Sequence, residues 1–243
     1  MPFVSLVRRC HPLACFVAAT LAFTLPGGEI SAAKSKKSTT ATTPKPAEID
    51  SPAAAASALS KPPAGSSPMA DLKKSNAALK KLFAKSAPTW SPEHDAKRAE
   101  MHKIVRSFLD FEELAHRALA RHWDSLNDKQ RTEFVGVLRE LIERNYIKQV
   151  HGQPNYELRF TKEAIMGSEA TVSATLETSN EGKKVTVEME YKLLYKDRWL
   201  VYDVITDEQG MLENYRAEFN KIITKESFEA LLKRMKKRLE KAD

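Results

Sequence analysis

Cysteine is nearly absent from this chain: among 243 residues only Cys10 and Cys15 occur, both within the first 15 positions. Everything downstream therefore lacks disulfides and thiols, which excludes a disulfide scaffold, a cysteine nucleophile and cysteine-ligated zinc there. Glycine is scarce, with eight residues and no Gly-x-Gly-x-x-Gly, Gly-x-Ser-x-Gly or P-loop among them. Nucleotide-cradling loops and nucleophile elbows are thus missing. Histidines are few, and His94, His102, His116, His122 and His151 form no HExxH. Past the N-terminal region no apolar run approaches the roughly 20 residues that a membrane-spanning helix needs. Charge of one sign is also weak: the net +7 of the whole chain falls, over residues 69–243, to 32 Lys/Arg against 29 Asp/Glu. Long-range attraction to nucleic acid is accordingly not expected.

The N-terminus has the pattern of an export signal. Arg8 and Arg9 precede an apolar run over residues 13–25, then Pro26-Gly27-Gly28 and the small residues Ser31-Ala32-Ala33. That order predicts a signal peptide over residues 1–33 cleaved before Lys34, although an uncleaved anchor has the same outline. Arg8-Arg9 lacks the following residues of a twin-arginine signal, and Cys15 lacks a lipobox before it. Both cysteines would leave with the signal, so the exported domain must hold together by apolar burial alone. A domain of about 175 residues buries roughly 70% of its unfolded surface, which makes this feasible.

Residues 34–68 are mostly Lys, Ser, Thr, Ala and Pro. Large apolar side chains are too few there to offset ordering entropy, and the segment reads as a disordered linker. The folded domain is expected over residues 69–243. Leu72, Leu79, Leu82 and Phe83 form a helical stripe. Ser91-Pro92 starts a second helix, Asp110 caps a short third, and Asn127-Asp128 launches a fourth carrying Phe134, Leu138, Leu141, Ile142 and Tyr146. The period then becomes two. Val172, Ala174 and Leu176 alternate with polar residues, as do Val185, Val187, Met189, Tyr191, Leu193 and Tyr195, with Asn180-Glu181-Gly182 as the turn between them. A second turn at Lys196-Asp197-Arg198 leads into a strand at residues 199–205, and helices over about 211–223 and 226–241 close the chain. The fold class is α+β: a curved antiparallel sheet of about four strands, wrapped by helices around an apolar cavity, cone-shaped like nuclear transport factor or cystatin folds.

Only one acid, Asp203, is embedded in an apolar strand. It reads either as a general base in a cone-shaped enzyme or as a structural acid that pairs with Arg216 or accepts backbone N–H groups at the strand end. No second acid or histidine stands beside it in the sequence. Arg216 is a candidate for a phosphate headgroup at a cavity rim. Met211, Tyr215, Phe219 and Ile222 share one helix face, whose Met and Tyr suit an adaptable apolar wall. The basic face of the last helix, with Lys233, Arg234, Lys236, Lys237, Arg238 and Lys241, reads as solvated or as meeting an acidic partner.

Several segments in this order resemble the MlaC, or toluene-tolerance, family of periplasmic phospholipid-binding proteins. They are Leu109-Asp110-Phe111 with Leu114-Ala115, Leu119-Ala120-Arg121-His122-Trp123, Gln130 with Phe134, Leu141 with Tyr146, and residues 199–219. The resemblance covers most of residues 72–241. Two positions depart from it: Leu119-Ala120 replaces a usual Leu-Gly, and Glu208-Gln209-Gly210 replaces a usual Gly-Val-Ser, at a turn expected beside the ligand mouth. The resemblance implies a soluble, non-enzymatic carrier without cofactor, acting as a monomer in the periplasm. It would shuttle phospholipid between an outer-membrane lipoprotein/porin complex and an inner-membrane ABC transporter complex, maintaining outer-membrane lipid asymmetry. A hopanoid or other apolar lipid is the alternative cargo. On this reading, strand residues Val172, Leu176, Val187, Met189, Tyr191, Tyr202 and Val204 line the cavity. Leu141, Tyr146, Met211 and Tyr215 line it from the helices, with Arg216 at the rim.

Overall fold

The computed structural model describes residues 61–83, 92–151, 156–180 and 183–240. The expected signal, most of the expected linker, Ser91 and the central residues of the turn at 180–182 lie outside them. Six helices and five strands follow one another as α1 (Pro68–Phe83), α2 (Pro92–Phe108), α3 (Phe111–Leu119), α4 (Asp128–His151), β1 (Tyr156–Met166), β2 (Glu169–Asn180), β3 (Lys183–Tyr195), β4 (Trp199–Thr206), β5 (Gln209–Gly210), α5 (Met211–Lys225) and α6 (Phe228–Glu240). The sheet is an open antiparallel meander in chain order, and β5 is only a two-residue strand.

The helix starts follow local chemistry. Ser67 accepts from the Ala70 N–H at 3.1 Å, with Pro68 at the first helical position of α1. Asp110 Oδ1 accepts from the Glu113 N–H at 3.0 Å to cap α3. Asn127 and Gln130 cap each other reciprocally at the head of α4, at 2.9 and 3.0 Å. Each cap satisfies amides that a helix start leaves without partners.

Packing is uneven across the sheet. Trp199 to Val204 of β4 are all buried, so both faces of that strand are covered. On β2, Val172, Ala174, Leu176 and Thr178 are buried and alternate with half-buried polar residues. On β1 only Tyr156 is buried, Leu158 and Phe160 are half-buried, and everything from Thr161 to Met166 is exposed. Helices α3 and α5 pack together and against β4, α4 packs on α6, and α1 lies against α2, β1 and β2. Register breaks between Phe160 and Lys162 and between Lys192 and Leu193 bend the sheet. The chain before α3 extends it, since the Asp110 N–H donates to Val201 O at 2.8 Å beside an isolated Leu109–Val201 bridge.

Helix α5 begins at Gly210, which has no side chain to cap it. The cap comes instead from β4, where Asp203 Oδ1 accepts the Leu212 N–H at 2.8 Å. A Cβ on Gly210 would lie 3.4 Å from Asp203 Oδ2, so the bare glycine lets the carboxylate in. Burial raises the Asp203 pKa, while backbone hydrogen bonds from Leu212 and Val204 oppose that rise.

The two departures from the family pattern both fall on left-handed backbone. Ala120 has φ 46° and ψ −122°, a conformation that glycine adopts freely and alanine does not. Asp207 and Glu208 have φ 48° and 67° in the two-residue loop that pairs Thr206 with Gln209. Positive φ at both loop positions is the hairpin geometry that favours glycine second.

Three stability outcomes follow from these backbone and capping features. Ala120→Gly relieves strain of about 1–3 kcal/mol against an entropy cost near 1 kcal/mol, so urea unfolding should show about 1 kcal/mol of stabilisation. Glu208→Gly should move the midpoint the same way by less. Asp203→Ala should lose about 1 kcal/mol with the cap, whereas Asp203→Asn keeps an acceptor. Because the folded state holds this proton more tightly, the contribution of Asp203 is greatest below the unfolded carboxyl value of about 3.9 and falls as pH rises through the raised folded value. Denaturation of Asp203→Asn across the acid range should lack that slope.

Candidate functional site: an apolar cavity under the first helix

The bare part of the sheet and α1 enclose a cavity. Tyr156, Leu158 and Phe160 of β1, Leu176 of β2, and Met189 and Tyr191 of β3 form its floor; Leu72, Ser75, Asn76 and Leu79 of α1, with Phe108 of α2, form its roof. The cavity volume is about 50 Å³, room for only a short stretch of hydrocarbon, and it opens to solvent on one side. The strand alternation that buries Leu176 and Met189 turns these side chains toward α1, and Leu72 and Leu79, seven residues apart, return the contact from one helix face.

No acid, base or histidine contributes to this wall. Its polar groups are neutral. The Tyr156 hydroxyl donates to Asn76 Oδ1 at 3.0 Å, and burial pushes its pKa up to about 12. Burial raises Tyr191 as well, and its hydroxyl has only a long contact of 3.9 Å to Met189 Sδ. The wall therefore offers hydrocarbon-like surface with two uncharged phenols, which suits an apolar ligand.

A wider depression of about 460 Å³ adjoins it, lined by Asp71, Leu72, Lys74, Ser75, Ala78, Ile104, Ser107, Phe108, Arg198 and Trp199. Leu72, Ser75 and Phe108 belong to both. Here the lining carries charge, so the two spaces together grade from apolar to polar.

The structure brings Leu176, Met189 and Tyr191 together on the cavity floor. It places Leu141, Val172, Val187, Tyr202, Val204, Met211 and Tyr215 in the packed core, lining neither space. The Tyr146 side chain lies outside the described residues. Tyr202 lies under the Arg117 guanidinium, 4.0 Å from its ring centroid, and Tyr215 stacks on Phe219 at 5.4 Å. Arg216 is exposed and lines neither space; its Nε donates to Arg117 O at 3.1 Å, tying α5 to α3. Asp203 caps α5 by the backbone route, with no hydrogen bond to Arg216. The Glu208 turn, expected beside the mouth, leads into α5 and also lines neither space.

The roof was not identified as site from the sequence. Leu72 and Leu79 read only as a helix stripe, and the alternation of Tyr156, Leu158 and Phe160 was the available sign of β1. Glu143 is a second unanticipated feature. It is 1% exposed on α4, accepting from Arg106 Nε at 2.6 Å and Nη2 at 2.9 Å and lying 2.6 Å from His102 Nδ1. This cluster fastens α2, and with it Phe108, to α4. Among the described residues, no group of three or more His, Cys, Asp or Glu is placed to hold a metal ion, and no helix is long and apolar enough to cross a membrane.

Comparisons with known proteins place the chain. A search of curated proteins gave no match. A phospholipid-binding protein from Ralstonia solanacearum, solved in complex with a phospholipid, is similar in fold at 16% identity and a TM-score of 0.57, over 71% of this chain and 97% of that one. The MlaC protein family model matches residues 73–237. With α1 through α6 and the sheet inside or overlapping that span, the chain belongs to the MlaC family.

Proposed function

We propose that the protein is a carrier of phospholipid, moving it through the periplasm between the outer and inner membranes as the soluble component of an ABC-transporter-linked system. The observation that carries this reading is the cavity between α1 and the sheet, walled without charge and continuous with a polar mouth. Family membership and the fold shared with a phospholipid-binding protein support it.

The physics of the task matches the site. Exposing acyl chains to water costs about 0.8 kcal/mol per methylene, so two chains of some 15 carbons represent roughly 20 kcal/mol. A carrier lowers that barrier by sheathing the chains and needs no covalent step. The inner space is small against two long chains. A bound lipid would extend into the adjoining depression or displace α1, which packs on α2 and only lightly on β1 and β2.

Native mass spectrometry of the purified protein should reveal a co-purifying glycerophospholipid. Finding no lipid, together with no uptake from vesicles, would overturn the reading. Ser75→Trp places an indole at the junction of the two spaces from an only half-buried position. It should reduce lipid loading at least about tenfold while circular dichroism stays unchanged, the expected result of steric exclusion from a fitted pocket. Full loading of that folded variant would refute the placement of the site.

A further inference from the structure

We propose that the depression between α1 and the β3–β4 turn is a phosphate-binding rim, in which Lys74 and Arg198 hold the phosphodiester of the lipid whose chains occupy the inner cavity. This rests on the carrier reading and names the residues that meet the headgroup.

Three features converge on this assignment. The first is the gradient of the lining. The inner wall has no charged residue, whereas the outer one has Asp71, Lys74 and Arg198, with Leu72, Ser75 and Phe108 shared at the junction. A glycerophospholipid has the same order of apolar chains, ester region and charge. A ligand lying with its chains under Leu79 would carry its phosphate out between α1 and the β3–β4 turn.

The second is the state of the two cations. Arg198 is held from two sides: its Nε donates to Ser107 O at 3.2 Å and its Nη1 to Asp197 Oδ2 at 2.9 Å. Its Nη2 makes no hydrogen bond to any described residue, so a positioned donor remains. Guanidinium donors fixed in this way lose little freedom on meeting a phosphate. Lys74 is exposed, makes no ion pair with any described residue, and stands on the opposite wall. Lys196, by contrast, is engaged with the buried Asp110 at 2.8 Å and lines neither space, while the Asp197 that pairs with Arg198 is exposed.

The third is the face that α1 presents. Asp71, Lys74, Ser75 and Ala78 fall at i, i+3, i+4 and i+7, which places them on one side of the helix, and all four line the rim. Asp71 on the same wall and Asp197 beside Arg198 balance the two cations, so an arriving phosphate meets positioned donors and not an excess of positive charge. The Ser75 hydroxyl lies where the ester region would pass. At the back edge, the Trp199 Nε1–H donates to Ser66 Oγ at 2.8 Å and Glu163 accepts from Ser67 and Met69, fixing the start of α1 and the width of the opening.

The test compares two ligands with identical chains, chain-labelled dioleoyl phosphatidylglycerol and dioleoylglycerol, presented in neutral vesicles to the intact protein and to Lys74→Gln/Arg198→Gln. Both substitutions are at exposed positions, and circular dichroism verifies the fold. The native protein should bind the phospholipid at least about tenfold more tightly than the diacylglycerol, the range for hydrogen bonds to a charged group. The double variant should bind both alike, with diacylglycerol binding unchanged, and the native preference should shrink with added salt. A variant that keeps the full preference, or a native protein without one, overturns the rim while leaving the carrier reading intact. Failure of the native protein to bind either lipid overturns both. Inorganic phosphate is the third probe. If it binds with the same dependence on Lys74 and Arg198 while lipid binding ignores them, the rim is a free-anion site and the lipid assignment falls.

Discussion

The hollow in this fold depends on the curvature of the sheet. A flat meander packed on helices would bury its inner face from end to end. Here the ladder slips by one residue on β1 and again between β3 and β4, and each slip bends the strand that carries it. Around β4 the result is close packing, with α3 and α5 filling one side and Arg117 shielding Tyr202 on the strand. Around β1 the inward side chains are covered by α1 and, at its end, by Phe108 of α2. The site is what remains between a well-packed half and a thinly covered one.

Much of this was legible in the sequence. The caps at Asp110 and Asn127, the alternation of β2 and β3, and the apolar face of α5 follow from local rules that tertiary context did not override. The expected sheet of about four strands is present, with the two-residue β5 as an addition; β1 has the weakest sequence signal of the long strands. Its apolar residues stop at Phe160, and the following Thr161, Lys162 and Glu163 dilute the period. The cavity wall was only partly legible for a different reason. Alternation says that Val172, Leu176, Val187, Met189 and Tyr191 all point inward, but not which stretch of the inner face a helix will cover. That depends on where β1 and β4 bend and on where α1 comes to lie, which no local pattern encodes.

Buried acids in this chain do structural work. Asp203 supplies the cap that Gly210 cannot, and Asp110 joins three jobs through one side chain and its own amide: it caps α3, meets Lys196, and anchors the chain to Val201. Glu143 pairs with Arg106 and hydrogen-bonds His102 between α2 and α4. Each carboxylate is buried with partners, which is the condition under which burial of charge is tolerated. The departures at Ala120 and Glu208 likewise act on backbone strain, away from the cavity.

The exposed half of β1 has a consequence for behaviour in concentrated solution. From Thr161 to Met166 it is the outer strand of the sheet, so its free backbone groups are a template onto which another chain can pair, and Ile165 and Met166 add stickiness at its end. What discourages such recruitment is charge along the strand, supplied by Glu157, Arg159, Lys162 and Glu163. Exposed charge is screened by salt while the apolar core is not. The protection of this edge therefore weakens as ionic strength rises, while the packing of the apolar core does not.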